Sequence, residues 1–154
     1  FYHDVLGLPL SQEPSGWMEG ESLAAGTGVP GARLRNALLR IGSDATLELL
    51  EYANRPANNN KPIQQNYLGA MHIALRVDDI IAVKAELESH GVEFMADINA
   101  FDEGALAGWR WVYFRDPDGI SLELVEVAYS NEDERRSRIR EYLASRPSLD
   151  SLNK

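Results

Sequence analysis

A chain of 154 residues suffices for one domain of ordinary size or two small packed modules. Its 44% hydrophobic and 25% charged residues are globular proportions, excluding low-complexity disorder and a collagen-like rod, and the absence of cysteine excludes disulfides, thiolate zinc sites and cysteine nucleophiles. With 15 Lys+Arg against 24 Asp+Glu the formal net charge is −9, a field that repels phosphate backbones and anionic lipid, so neither nucleic acid nor membrane is an expected partner.

No apolar run approaches a bilayer span and no signal-peptide pattern opens the chain, which predicts a cytoplasmic protein. Phe1, Tyr2, Val5 and Leu6 fall at helical spacing and Gly7 is a stop, so Phe1–Leu6 reads as the end of a helix that begins upstream. Leu8–Gln12 reads as a short strand. Residues 14–31, rich in Gly and Pro, read as a loop with one helical turn at Glu21–Ala25. Its glycines at 26–31 lack the preceding strand and the Lys-Ser/Thr of a phosphate-binding loop. Arg33–Ile41 and Thr46–Tyr52 are strands around a Gly42-Ser43-Asp44 turn.

Residues 53–68 look like a linker. Met71–Val77 is a strand with Met71, Ile73, Leu75 and Val77 on one face and His72, Ala74 and Arg76 on the other. Asp78 or Asp79 caps a helix whose apolar stripe is Ile80, Val83 and Leu87 and which Gly91 ends. Val92–Phe94 begins a further strand. Trp109–Phe114 and Ile120–Val127 are strands joined by the tight turn Asp116-Pro117-Asp118-Gly119. Asp133–Tyr142 is a charge-dense helix with Ile139 and Leu143 on one side, and a loose tail follows from Ser145.

The two halves repeat each other. Leu47-Glu48-Leu49-Leu50-Glu51-Tyr52 matches Leu122-Glu123-Leu124-Val125-Glu126-Val127, and Leu6-Gly7-Leu8 matches His90-Gly91-Val92. Each half reads strand–helix–strand–strand–strand, the first without its opening strand.

The segments Phe1-Tyr2-His3-Asp4-Val5-Leu6-Gly7-Leu8, Gly69-Ala70-Met71-His72-Ile73-Ala74-Leu75 and Phe114-Arg115-Asp116-Pro117-Asp118-Gly119, the last leading into Leu122-Glu123-Leu124-Val125-Glu126, resemble the vicinal oxygen chelate superfamily of glyoxalases, bleomycin resistance proteins and extradiol dioxygenases. The resemblance implies an α+β fold of two βαβββ modules forming a curved mixed sheet with helices outside. It implies one domain over residues 1–128, with module one at 1–53, a linker at 54–68 and module two at 69–128, and a C-terminal helix and tail at 129–154. It further implies a divalent metal (Zn, Ni, Co, Fe or Mn) held by Glu48, His72 and Glu123, with another ligand on a strand preceding Phe1, and a homodimer.

Strand parity is compatible with those ligands. Glu48 lies with Leu50 and Tyr52, Glu123 with Ser121 and Val125, and His72 opposite four apolar residues, so each points away from its strand's more apolar face. Solvent-facing carboxylates on half-buried strands would produce the same pattern. Glu51 and Glu126, three residues on, fall on the opposite face and read as edge or surface charges. His3 and His90 read as solvated or capping residues.

A carboxylate at position 48 looks most like glyoxalase I. The implied activity is therefore a metal-dependent lyase or isomerase passing through an enediolate on a small substrate with adjacent oxygens, with Glu48 or Glu123 as the base. An epimerase, an extradiol dioxygenase and a non-catalytic small-molecule-binding protein are the alternatives. Trp109, Trp111 and Tyr113 form one stripe, as core packing or as an aromatic wall for a ligand. Among Arg33, Arg35, Arg76 and Arg110, Arg76 is the candidate for a substrate carboxylate.

Overall fold

The computed structural model describes residues 1–54, 62–103, 106–129 and 132–145. It divides into one unit of Phe1–Gln64 with Asp116–Gly119, and a second of Gln65–Arg115 with the chain from Ile120 onward.

In the first unit, Val5 and Leu6 N–H groups close a single turn onto Phe1 O at 2.8 and 3.0 Å. Gly7 then leaves it at φ 69°, where a side chain would be strained. The chain next runs beside strand β2 (Arg33–Ile41). Leu10 bridges Leu39, and Arg40 N–H donates to Pro9 O at 2.9 Å. The expected strand at Leu8–Gln12 is thus one bridge at the edge of β2, a place where a proline can sit because no N–H is required of it.

The Gly- and Pro-rich stretch holds more order than its composition suggested. Met18–Glu19 forms a two-residue strand, β1, paired with β2. The expected turn at Glu21–Ala25 extends to a helix, α1 (Glu21–Thr27), because Gly28 at φ 67° supplies a left-handed C-cap. Strand β3 (Ala45–Tyr52) pairs antiparallel with β2, so that the first sheet has the order β1-β2-β3. Leu34, Leu39 and Ala32 are buried here.

The second sheet has the order β4-β7-β6-β5, made of β4 (His72–Arg76), β5 (Asn99–Ala100), β6 (Arg110–Arg115) and β7 (Ser121–Glu126). It is mixed: β4 lies parallel to β7, and the other pairs are antiparallel. Parallel neighbours need a crossover, and helix α2 (Ile80–Ser89) lies in the connection that leaves β4. Asp79 caps α2 by accepting from Ile81 N and Ala82 N at 3.1 and 3.0 Å. His90 terminates it, its Nδ1 lying 2.9 Å from Glu86 O, which is the capping role expected of that histidine.

Ile80 and Leu87 from α2 are buried, as are Val92, Val112, Phe114, Leu122 and Leu124, and these side chains form the core of the unit. The strand expected from Val92 is interrupted. Phe94 bridges Phe114, and ladder pairing resumes only at β5. Helix α3 (Glu132–Ser145) is longer than expected. Arg138 donates to Ala107 O at 3.0 Å and to Glu134 at 2.8 Å. The side chains of Ile139 and Leu143, residues 55–61 of the linker and the tail at 146–154 lie outside the described residues. Among the described residues no helix is long and apolar enough to cross a membrane.

The β6–β7 turn is held by a buried bond: the Tyr2 hydroxyl donates to Asp116 Oδ2 at 2.9 Å. Burial, and then this partner, push the phenol pKa well up, so the hydroxyl remains a donor throughout the physiological range.

Glu126 departs from the sequence reading. It does not act as a surface charge; it turns toward α2 and accepts from Ile80 N at 2.8 Å, while Arg110 Nε donates to it at 3.0 Å. Strand alternation places it opposite Glu123, as expected, but on that side it meets the α2 N-terminus, whose amides and dipole favour an anion. The Arg110 hydrogen bond chiefly, with lesser help from the Ile80 amide, holds its carboxyl below the ordinary range against the opposing effect of burial. A depressed carboxyl stabilises the fold above its unfolded pKa of about 4.3 and loses that contribution as pH falls through its folded value. Glu126→Gln is expected to cost roughly 1–3 kcal/mol at neutral pH. In urea melts the cost should shrink as pH falls through the depressed folded pKa, below which the wild-type carboxyl is itself protonated.

Candidate functional site

The sheet of the second unit has one face turned to α2 and one turned away. On β7, Leu122 and Leu124 are buried in the core, and the alternation of the strand therefore directs Ser121, Glu123 and Val125 to the other face. The parallel register pairs Ala74 with Glu123 and His72 with Ser121, bringing His72 onto the same face. Antiparallel pairing sets Tyr113 directly opposite Glu123 and Trp111 opposite Val125.

Three side chains meet there. His72 Nε2 lies 3.1 Å from Glu123 Oε2. The Tyr113 hydroxyl lies 3.5 Å from the same nitrogen and hydrogen-bonds the Glu123 carboxylate, and its ring stands edge-on to the imidazole at 5.1 Å between centroids. Burial raises the Glu123 pKa; the nearby imidazole and the hydrogen bonds from His72 and Tyr113 pull it the other way, and the upward effect prevails. Burial and then the Glu123 charge raise the Tyr113 pKa, so the phenol is a neutral donor at physiological pH.

An aromatic row continues from this cluster along β6. Trp111 stands 5.3 Å from Tyr113 and stacks at 6.0 Å on Phe101, while Trp109 meets Tyr129 edge-on at 6.1 Å. Among the described residues, the indole nitrogens of Trp109 and Trp111 are buried without a hydrogen-bond partner. Arg76 is exposed on β4, on the face that carries His72. Its position opposite Val125 sets it four pairs further along the ladder from His72.

Glu48 lies on β3 of the first unit, exposed, and accepts from Asn36 Nδ2 at 2.9 Å. Glu51 is an exposed partner of Arg35 at 2.6 Å, as a surface charge should be. His3 is also exposed, its Nδ1 lying 3.0 Å from Leu8 O. The structure thus brings together His72 and Glu123 of the predicted set and adds Tyr113, which the sequence reading had placed only in an aromatic stripe. The signal was available in the hairpin: counting outward from the 116–119 turn pairs residue 113 with residue 123.

The chain can now be compared with known proteins. The model of the Glyoxalase/Bleomycin resistance protein/Dioxygenase superfamily matches residues 1–124. This chain belongs to that superfamily. A 2-epi-5-epi-valiolone epimerase from an Actinomyces species is 32% identical, over 92% of this chain and 78% of the relative. Among solved structures, a glyoxalase family protein from Bacillus cereus superposes with a TM-score of 0.67 at 23% identity, covering 80% of each chain. Another from Enterococcus faecalis gives 0.56 at 28% identity, covering 82% of this chain and 83% of that one. The α+β architecture is therefore that of the glyoxalase superfamily, as the sequence resemblance implied.

The His72–Glu123 pair has the donor chemistry and spacing for part of a divalent cation site. Two N or O ligands at about 2.1 Å from one ion, in adjacent positions, stand about 3.0–3.4 Å apart. The observed separation of 3.1 Å needs no rearrangement to meet that. Imidazole with carboxylate suits zinc, nickel, cobalt, iron or manganese. Among the described residues no group of three or more His, Asp or Glu side chains forms a complete set of this kind.

The electrostatic balance at Glu123 is directly testable. His72→Ala removes both its charge partner and a hydrogen bond, each of which lowers the pKa, so the Glu123 carboxyl should titrate at still higher pH. Carbon-13 NMR of the glutamate carboxyls would follow this, and an unchanged titration would contradict the contact.

Proposed function

We propose that this protein is a proton-transferring isomerase, specifically an epimerase, acting on a small substrate that carries a hydroxyl beside a carbonyl. The observation that carries this reading is the half-buried Glu123 carboxylate, of raised pKa, set between an imidazole and a phenol on a face lined by aromatic rings. A carboxylate made more basic by burial is suited to taking a proton from carbon. The 32% identical relative, a 2-epi-5-epi-valiolone epimerase, supports epimerisation of a cyclic polyhydroxy ketone over the glyoxalase I reaction first implied by Glu48.

In this proposal His72 and Glu123 are metal ligands. A bound divalent cation would supply Lewis-acid stabilisation of charge developing on two adjacent substrate oxygens. Glu123 takes the proton from the carbon between hydroxyl and carbonyl, and the electron pair moves into an enediolate. A proton from solvent adds to the opposite face of that carbon and restores the ketone with inverted configuration, and Glu123 releases the proton it took to solvent, so the net change is one stereocentre and no atom is lost. His72 orients the Glu123 carboxylate. Trp111 and Trp109 keep water from the reacting carbon, and Arg76 provides a cation at the rim for an anionic substrate group.

The test is solvent exchange. In deuterium oxide, protein loaded with cobalt or zinc should introduce deuterium at the carbon beside the carbonyl of 2-epi-5-epi-valiolone, read by NMR. Glu123→Gln should abolish this. His72→Ala should weaken cation binding, measured by calorimetry, by at least the roughly 10–100-fold that loss of an outer-shell partner costs. Cation binding with no exchange would leave a binding protein on the same fold.

A further inference from the structure

Tyr113 is the one member of the cluster that the ligand pattern leaves without a task. Its hydroxyl is held against both His72 Nε2 and the Glu123 carboxylate, and its ring is fixed between the His72 imidazole and the Trp111 indole at 5.1 and 5.3 Å. With a cation held by His72, the Nε2 lone pair would be occupied and that nitrogen would no longer serve the phenol. The ring stays fixed by its neighbours, and once Glu123 has taken a proton from carbon its carboxyl no longer needs the phenol's hydrogen, so the O–H can be donated to a substrate oxygen beside it. A preorganised donor of this kind, aimed where negative charge develops, costs no reorganisation at the moment of reaction.

We propose that Tyr113 is a catalytic residue, donating a hydrogen bond from its hydroxyl to an enediolate oxygen of the substrate. This rests on the isomerase reading above and adds to it a specific stabiliser of the intermediate. It also narrows the substrate: the accepting oxygen must lie near the ring plane of Tyr113, beside the Trp111 and Phe101 rings, which suits a compact, ring-shaped carbon skeleton presenting C–H groups to the aromatic row.

Tyr113→Phe keeps the ring and removes only the donor. Cobalt affinity and melting temperature should stay near wild type, while kcat for deuterium exchange into the same ketone falls by roughly 100-fold with little change in KM. Acetohydroxamate, a planar probe with two adjacent oxygens, should bind the cobalt-loaded variant about tenfold more weakly than wild type. Independently of any substitution, protein labelled with 3-fluorotyrosine should show the Tyr113 fluorine resonance shift when acetohydroxamate is added. Unchanged exchange and unchanged acetohydroxamate binding in Tyr113→Phe, with an active wild type, would overturn the inference alone. Loss of cobalt affinity in the variant would do the same, reducing Tyr113 to a support for the ligand pair. A wild type that neither exchanges nor binds the probe would bring down the isomerase reading and this inference together.

Discussion

The site depends on the alternation of one strand. Leu122 and Leu124 of β7 are fully buried against the α2 side of the sheet. Their burial is worth roughly 1.5–3 kcal/mol each relative to exposure, and a shift of register by one residue would drive Glu123 into that core and expel both leucines. The backbone therefore has no freedom over where Glu123 points. The same alternation turns Glu126 to α2, where the helix amide of Ile80 and the Arg110 guanidinium receive it. Two glutamates three residues apart are thereby given opposite roles by one strand: one stays strongly ionised in a structural clamp, and the other is raised in pKa and available for chemistry.

How much of this was legible in the residues follows from the same physics. The strands Arg33–Ile41 and Ile120–Val127, an aspartate cap at 78 or 79 and the Asp116–Gly119 turn rest on local chemistry that a single sequence carries, and the structure selects Asp79. The edge elements were harder. β1 and β5 are two-residue pairings whose existence is decided by what lies beside them, and neither has a hydrophobic period long enough to read. The face of Glu126 was legible, but its function was not, because the amide it caps belongs to a helix 46 residues earlier in the chain. Tyr113 shows the converse. Its partner lies across a tight hairpin, yet its ring resembles core packing to any count of apolar residues.

The internal repeat survives at the level of individual ion pairs. In the first unit Arg35 and Glu51 are directly cross-strand, and in the second Arg110 and Glu126 are, each arginine donating through Nε. Superposing the repeats on these pairs sets Glu48 in register with Glu123, and Leu38 with Tyr113. The carboxylate is thus duplicated while the phenol beside it is not. Glu48 receives instead an amide hydrogen bond from Asn36, whose counterpart in the second unit is Trp111. A side-chain amide satisfies a carboxylate without excluding water, and Glu48 remains exposed, whereas the aromatic row shields Glu123.

The two repeats therefore present carboxylates of the same register in different dielectric surroundings, and a base works best where solvent is kept from it. That asymmetry comes from a few substitutions on one strand, β6, laid over a pairing scheme that both units retain. The repeat thus retains the register of both carboxylates, while the Trp111 and Tyr113 side chains give Glu123 alone its aromatic surroundings. A change at either aromatic position would then alter the chemistry without disturbing the register that holds the glutamates in place.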